Sequence, residues 1–156
     1  MSEIVQLLES IDKARERNAD LDVRIILGKL FGPDDVKKEK KNVANLRSTH
    51  DLRLDRNIRY IDTKRFVHCH NKLIIVDDKS VLVSSQNWSG TGVDTNREAG
   101  VLIEHAGCAK YFSKIFESDW STALKRIPTP GRNRVAPETV ARGNFIQVVP
   151  ADYQEV

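Results

Sequence analysis

The chain has 156 residues, with 25 Lys and Arg against 22 Asp and Glu, 40% hydrophobic and 30% charged side chains, 8 Gly and 5 Pro. That length fits one domain, and the balance is that of a soluble globular protein, which excludes a disordered or collagen-like chain. A formal charge of +3 excludes a charge-dominated binder and leaves only a weak bias toward anions.

From Glu3 to about Asn18, Ile4, Val5, Leu7, Leu8, Ile11 and Ala14 recur at three- and four-residue spacing, with Ser2 placed as a cap, so an amphipathic helix is expected. Leu21–Leu27 is rich in β-branched residues and closed by Gly28, which reads as a mostly buried strand. Between Phe31 and Asn57, Gly32-Pro33-Asp34-Asp35 opens a polar segment in which Lys37, Lys38, Lys40 and Lys41 surround Glu39; the sparse apolar residues Val36, Val43, Leu46 and Leu52 suit an exposed helix. Ile58–Ile61 reads as a short strand. Phe66–Val76 and Ser80–Ser85 flank the turn signal Asp77-Asp78-Lys79 and should form a hairpin. A loop is expected over Gln86–Asn96 and a strand over Ala99–Ile103. On a helix from Cys108 to Leu124, Phe112, Ile115, Phe116 and Trp120 share one core-facing side. Beyond Arg126 the prolines return, so residues 1–126 read as the domain and 127–156 as an irregular tail, with Phe145–Val149 an edge strand. The expected class is α/β, a mixed sheet flanked by helices.

Cys69 and Cys108 cannot build a disulfide framework and read as small buried hydrophobes, which favours an intracellular compartment. No apolar run approaches the ~20 residues that span a bilayer, and the N-terminus lacks a signal-peptide pattern.

The chemistry concentrates in His68-Cys69-His70-Asn71-Lys72, followed by Ser84-Ser85-Gln86-Asn87 and Asn96-Arg97-Glu98. On a strand His70 and Lys72 share a face about 7 Å apart. An imidazole beside an ammonium suits a phosphodiester: Lys72 neutralises the non-bridging oxygens while a nitrogen of His70 attacks phosphorus. Asn87 and Ser85 can add donors to the equatorial oxygens, and Glu98 can accept from the other ring nitrogen of His70 and fix its tautomer. Trp88 is a candidate substrate contact, by stacking or by dipping into lipid; simple packing is the alternative.

His70, Lys72 and Asp77 spell HxKxxxxD, and Ser84–Asn87 stands where GSxN follows that pattern, so the sequence resembles one half of the phospholipase D superfamily. The resemblance implies an α/β/α sandwich half and a metal-free, cofactor-free phosphodiesterase working through a phosphohistidine. It makes His70 the nucleophile or its acid partner, Lys72 and Asn87 phosphate ligands, and Ser85 and Glu98 supporting groups. Asp77, at a strand end, suits a turn or salt bridge. Ser84 stands in place of the motif glycine. In-line displacement needs an acid opposite the attacking nitrogen. The family pairs two motifs for this, so a homodimer partner or a second half is implied. A family half also opens with a strand before the first helix; the expectation is that the first strand is missing and that the chain is the C-terminal portion of a two-motif protein or a product truncated at its N-terminus.

Other readings stand beside these. His68, His70 and Glu98 could ligate a metal, though Lys72 on the same face repels a cation. The Lys37–Lys41 run could bind nucleic acid or anionic lipid, and the arginines of the tail a polyanion, but both read first as solvated surface. For substrate, the small net charge favours a phospholipid, hydrolysed or transferred, with the protein cytoplasmic or peripheral to a membrane. The alternatives are a metal-independent endonuclease on DNA or RNA, and a non-catalytic half-domain serving assembly.

Overall fold

The computed structural model describes residues 5–28, 30, 32–66, 69–87 and 95–129. In chain order it contains α1 (Val5–Arg17), β1 (Ile25–Leu27), α2 (Pro33–His50), β2 (Ile58–Tyr60), β3 (Leu73–Val76), β4 (Ser80–Ser84), β5 (Gly100–Ile103) and α3 (Ala106–Thr122). The α/β class holds. Parallel and antiparallel pairing both occur, but among the described residues they sit in two sheets rather than one: β1 pairs β2 in parallel, and β3-β4-β5 is an antiparallel meander. The Ser2 cap, most of the expected tail and its edge strand lie outside the described residues.

The parallel sheet is built on the α1–α2 pair. Leu8 of α1, Leu46 of α2, Leu52 and Ile58 form a buried cluster, with Val23, Ile25, Leu27 and Leu54 packed against it. Pro33 opens α2 at a position where its missing N–H costs nothing, and the Asp35 carboxylate accepts from the Gly32 N–H at 3.0 Å. Asp51 ends the helix with a left-handed φ of 44°, after which the Leu52 N–H donates to the Leu46 carbonyl and the Leu52 side chain enters the core. His50 ties α2 to α1: Nδ1 lies 2.6 Å from Asp12 Oδ2, and the Arg15 guanidinium donates to the His50 carbonyl at 2.7 Å.

Two expected strands are shorter than their sequence pattern. Of Leu21–Leu27 only Ile25–Leu27 pairs, and it is half-buried rather than mostly buried. The buried Asn57 side chain takes the Val23 carbonyl at 3.0 Å, and the ladder begins only where the Ile25 N–H meets the Asn57 carbonyl at 2.7 Å. Among the described residues of Phe66–Val76, only Leu73–Val76 is strand.

The hairpin forms as expected. Asp77 and Asp78 both have positive φ, 51° and 52°, and the Lys79 N–H donates to the Val76 carbonyl at 2.9 Å. These are the φ signs of a type I′ turn, which aspartate tolerates better than most side chains. Ser113 of α3 donates to the Asp78 carboxylate, anchoring the turn. The α3 helix packs on β3 and β4, with Val81, Ala109 and Trp120 buried; Ile115, expected on the core side, is exposed. His105 caps it by accepting the Cys108 N–H on Nδ1 at 3.2 Å. The two cysteines are free and half-buried, not fully buried.

Candidate active site

One end of the antiparallel sheet gathers the motif. The Ser84 N–H donates to the Lys72 carbonyl at 3.0 Å, and the Ser85 N–H to the Ala99 carbonyl at 2.9 Å. The entry to β3, the exit of β4 and the entry to β5 therefore meet, bringing Lys72, Ser84, Ser85 and Glu98 together. Cys69 passes beside Gly28 at the carboxyl end of β1: a Cβ built on Gly28 would lie 3.6 Å from the Cys69 carbonyl oxygen. Asp77 stands at the far end of the hairpin, about 16 Å away at strand rise, in the turn described above.

His70 and Lys72 are not on a strand. Lys72 is 7% exposed and its ammonium donates to the His70 carbonyl at 2.8 Å, so it holds the backbone that carries the exposed imidazole. A buried ammonium needs such partners. Two N–H bonds remain on that nitrogen, which can serve phosphoryl oxygens.

Glu98 is held from two sides. Ser85 Oγ donates to Oε2 at 2.5 Å and Asn96 Nδ2 to Oε1 at 3.0 Å; the Ala99 N–H in turn donates to Ser85 Oγ at 3.1 Å. The bond from Ser85 first, then that from Asn96, with the Lys72 charge adding, keep the Glu98 carboxyl below its ordinary range. With its oxygens accepting from Ser85 and Asn96, the carboxylate orders the β4–β5 exit. Asn87 is exposed, one residue past Gln86, whose N–H donates to Ser84 Oγ at 3.0 Å. His68 and Trp88 lie outside the described residues. No cluster of three metal-ligating side chains occurs among the described residues.

Asn96 stood in the sequence motif without a role, and its bond to Glu98 supplies one. Gly100 escaped the sequence reading. Gly100 pairs with Ser84 across β4–β5, and a Cβ on it would lie 3.2 Å from Ser84 Oγ and 3.3 Å from Ser84 Cβ. The hydroxymethyl that replaces the motif glycine is accommodated because the facing strand has none; a glycine inside a strand often marks such an approach.

A histidine–lysine segment, a serine-rich strand exit and a bound glutamate at one sheet end match the pattern of a known family. The profile of the family described as "Cardiolipin synthase, PLD-like domain" matches residues 2–120. The chain belongs to the phospholipase D superfamily. Among solved structures, this phospholipase D-like chain is similar to a phospholipase D family member, Nuc from Salmonella typhimurium. The identity is 21%, the match covers 76% of this chain and 87% of that one, and the TM-score is 0.44. No curated protein matches the chain in sequence. Membership makes the phosphodiesterase type of enzyme the coarse functional class.

Proposed function

We infer that this chain supplies one half of a phosphodiester hydrolase or transferase. A ring nitrogen of His70 bonds to phosphorus as the P–O bond to the leaving alcohol breaks. A histidine from a second motif, in a homodimer partner or another half, protonates that alcohol. Water or a second alcohol then attacks phosphorus, its proton passes to that second histidine, and His70 is released. Lys72 and Asn87 hold the equatorial oxygens, Ser85 and Glu98 order the strand exit, Trp88 contacts substrate, and Asp77 shapes the turn. Residues 1–126 are the working domain and 127–156 its tail. The observation that carries the reading is the buried Lys72 ammonium bonded to the His70 carbonyl.

A phospholipid is the substrate this reading favours. The small net charge supports it, and the matched family is described as a cardiolipin synthase domain. Rapid quenching into denaturant at mildly alkaline pH, where a phosphoramidate survives, during turnover of phosphatidylcholine labelled at phosphorus and with chelator present, should leave label on His70; no adduct in a competent assembly refutes the mechanism. General-acid help is worth about 10²–10⁴ in rate. Assemblies mixing His70→Ala with wild-type chains should therefore lose activity, and full activity in every mixed species refutes the shared site. Turnover of single-stranded DNA in place of lipid would identify a nuclease.

A further inference from the structure

The densest charge on the chain lies on α2, away from the motif. Four of five consecutive residues, Lys37, Lys38, Lys40 and Lys41, are lysines and all four are exposed. At about 100° per residue they occupy an arc of about 160°. Glu39, the carboxylate inside the run, lies on the opposite side with Leu46. It accepts the Tyr60 hydroxyl at 2.8 Å and the Asn42 amide at 3.1 Å. Its charge is turned toward β2 and does not neutralise the lysines. Asp35 is bound to the Gly32 N–H, which leaves Asp34 as the carboxylate of α2 on the lysine side.

We propose that this face of α2 is an electrostatic docking surface for an anionic phospholipid bilayer. Clusters of about four to eight basic residues on a helix attract acidic lipid, at a cumulative gain of about fivefold per charge. The face carries no Phe, Tyr or Trp among its lysines, and the one guanidinium of α2, Arg47, stands two turns beyond Lys40. It therefore lacks the stacking platforms that single-stranded nucleic acid uses. A flat sheet of negative charge needs none. The apolar residues of α2 point inward, with Leu46 buried and Val36 and Val43 half-buried, so the helix lies on the headgroups without inserting. No helix among the described residues is long and apolar enough to cross a membrane. The proposal rests on the phospholipid reading for its purpose, since that substrate resides in a bilayer, but binding itself needs no turnover.

The test is co-sedimentation of the full chain with vesicles of phosphatidylcholine alone or with about a third phosphatidylglycerol. Binding should require the anionic lipid and reverse at high salt. Lys37→Gln, Lys38→Gln, Lys40→Gln and Lys41→Gln together should weaken it roughly a hundredfold or more, with helix content unchanged by circular dichroism. The control Lys79→Gln, Lys110→Gln and Lys125→Gln, which removes exposed lysines elsewhere, should bind like wild type. Equal binding to neutral vesicles, no loss in the quadruple variant, or equal loss in the control overturns the proposal. So does tighter capture of a single-stranded oligonucleotide by the same four lysines. His70→Ala protein should bind vesicles normally, so a failed phosphohistidine trap with intact binding would remove the catalytic reading and leave this one standing.

Discussion

Single side chains at the sheet end set its chemistry and its tolerance to change. The Glu98 carboxyl is held below its ordinary value of 4.5 by Ser85, Asn96 and the Lys72 charge. Its ionised form therefore stabilises the fold above that ordinary value, and this contribution disappears as pH falls through the depressed value of the folded state. Denaturant midpoints measured from neutral pH down to strongly acid should fall for wild type and fall less steeply for Glu98→Gln. An identical slope would show that the carboxylate is not held as described. Ser84 and Gly100 form a reciprocal pair, because the strand that lost a glycine faces a strand that has one. Gly100→Ala should cost about 1–3 kcal/mol by overpacking. Adding Ser84→Gly should return part of it, with a coupling of about 0.5–3 kcal/mol in a double-mutant cycle. The motif glycine replaced by Ser84 was legible in the sequence; its compensation at Gly100 was not, because register alone decides which residue faces it.

Helices and strands were unequally legible for a physical reason. The three helices announce themselves by periodic apolar residues and by local stop signals, which need nothing beyond the segment itself. A strand needs a partner. Phe66–Lys72 has the composition of a strand, yet among the described residues no rung with β4 continues beyond the Lys72 carbonyl, because the Ser85 N–H turns to Ala99 instead. His70 and Lys72 therefore sit outside the strand, and their relation is set by an ammonium-to-carbonyl bond rather than by strand alternation. The link from α2 to β2 is similarly specific. Burial first, then the bond to Glu39 and its charge, push the Tyr60 hydroxyl above its ordinary value of 10.0. The neutral phenol is thereby favoured in the folded state, so its contribution is complete below pH 10.0 and lost as pH rises beyond it. Urea unfolding on either side of that value should show alkaline loss in wild type and a shallower loss in Tyr60→Phe.

The parallel sheet is tied to α3 and to the residues after it, where Tyr60 and Leu124 exchange two backbone hydrogen bonds of 2.9 and 2.7 Å, and α3 packs on the antiparallel sheet. Arg59 of β2 lies over the Trp120 ring, 4.1 Å from its centroid, and donates to the Trp120 carbonyl at 2.7 Å. Arg24 spans Phe116 and Trp120, which stack at 5.8 Å, and reaches Glu117 at 2.6 Å. The Arg24–Glu117 pair is solvent-exposed and worth at most about 1 kcal/mol. Arg59 is the stronger tie, because a cation over an indole adds about 0.5–2 kcal/mol and its hydrogen bond to the carbonyl about 1.5–3. Arg59→Ala should destabilise the protein by about 2–3 kcal/mol, with a shift in tryptophan emission. Arg59→Lys should recover little, because an ammonium lacks the planar fork. A midpoint unchanged in Arg59→Ala would show that the sheets are joined by other means.

Composition, periodicity and the HxKxxxxD spacing were enough to determine the α/β class, the three helices, the hairpin and the superfamily, since each depends on residues close in the chain. Tertiary structure alone decided how Lys72 meets the His70 carbonyl, what Glu98 binds, that the strands divide between two sheets and that Glu39 faces inward from the lysines of α2. Those outcomes depend on which distant groups reach one another first, and hydrogen-bond partners, unlike apolar patterns, are chosen by space and not by sequence distance.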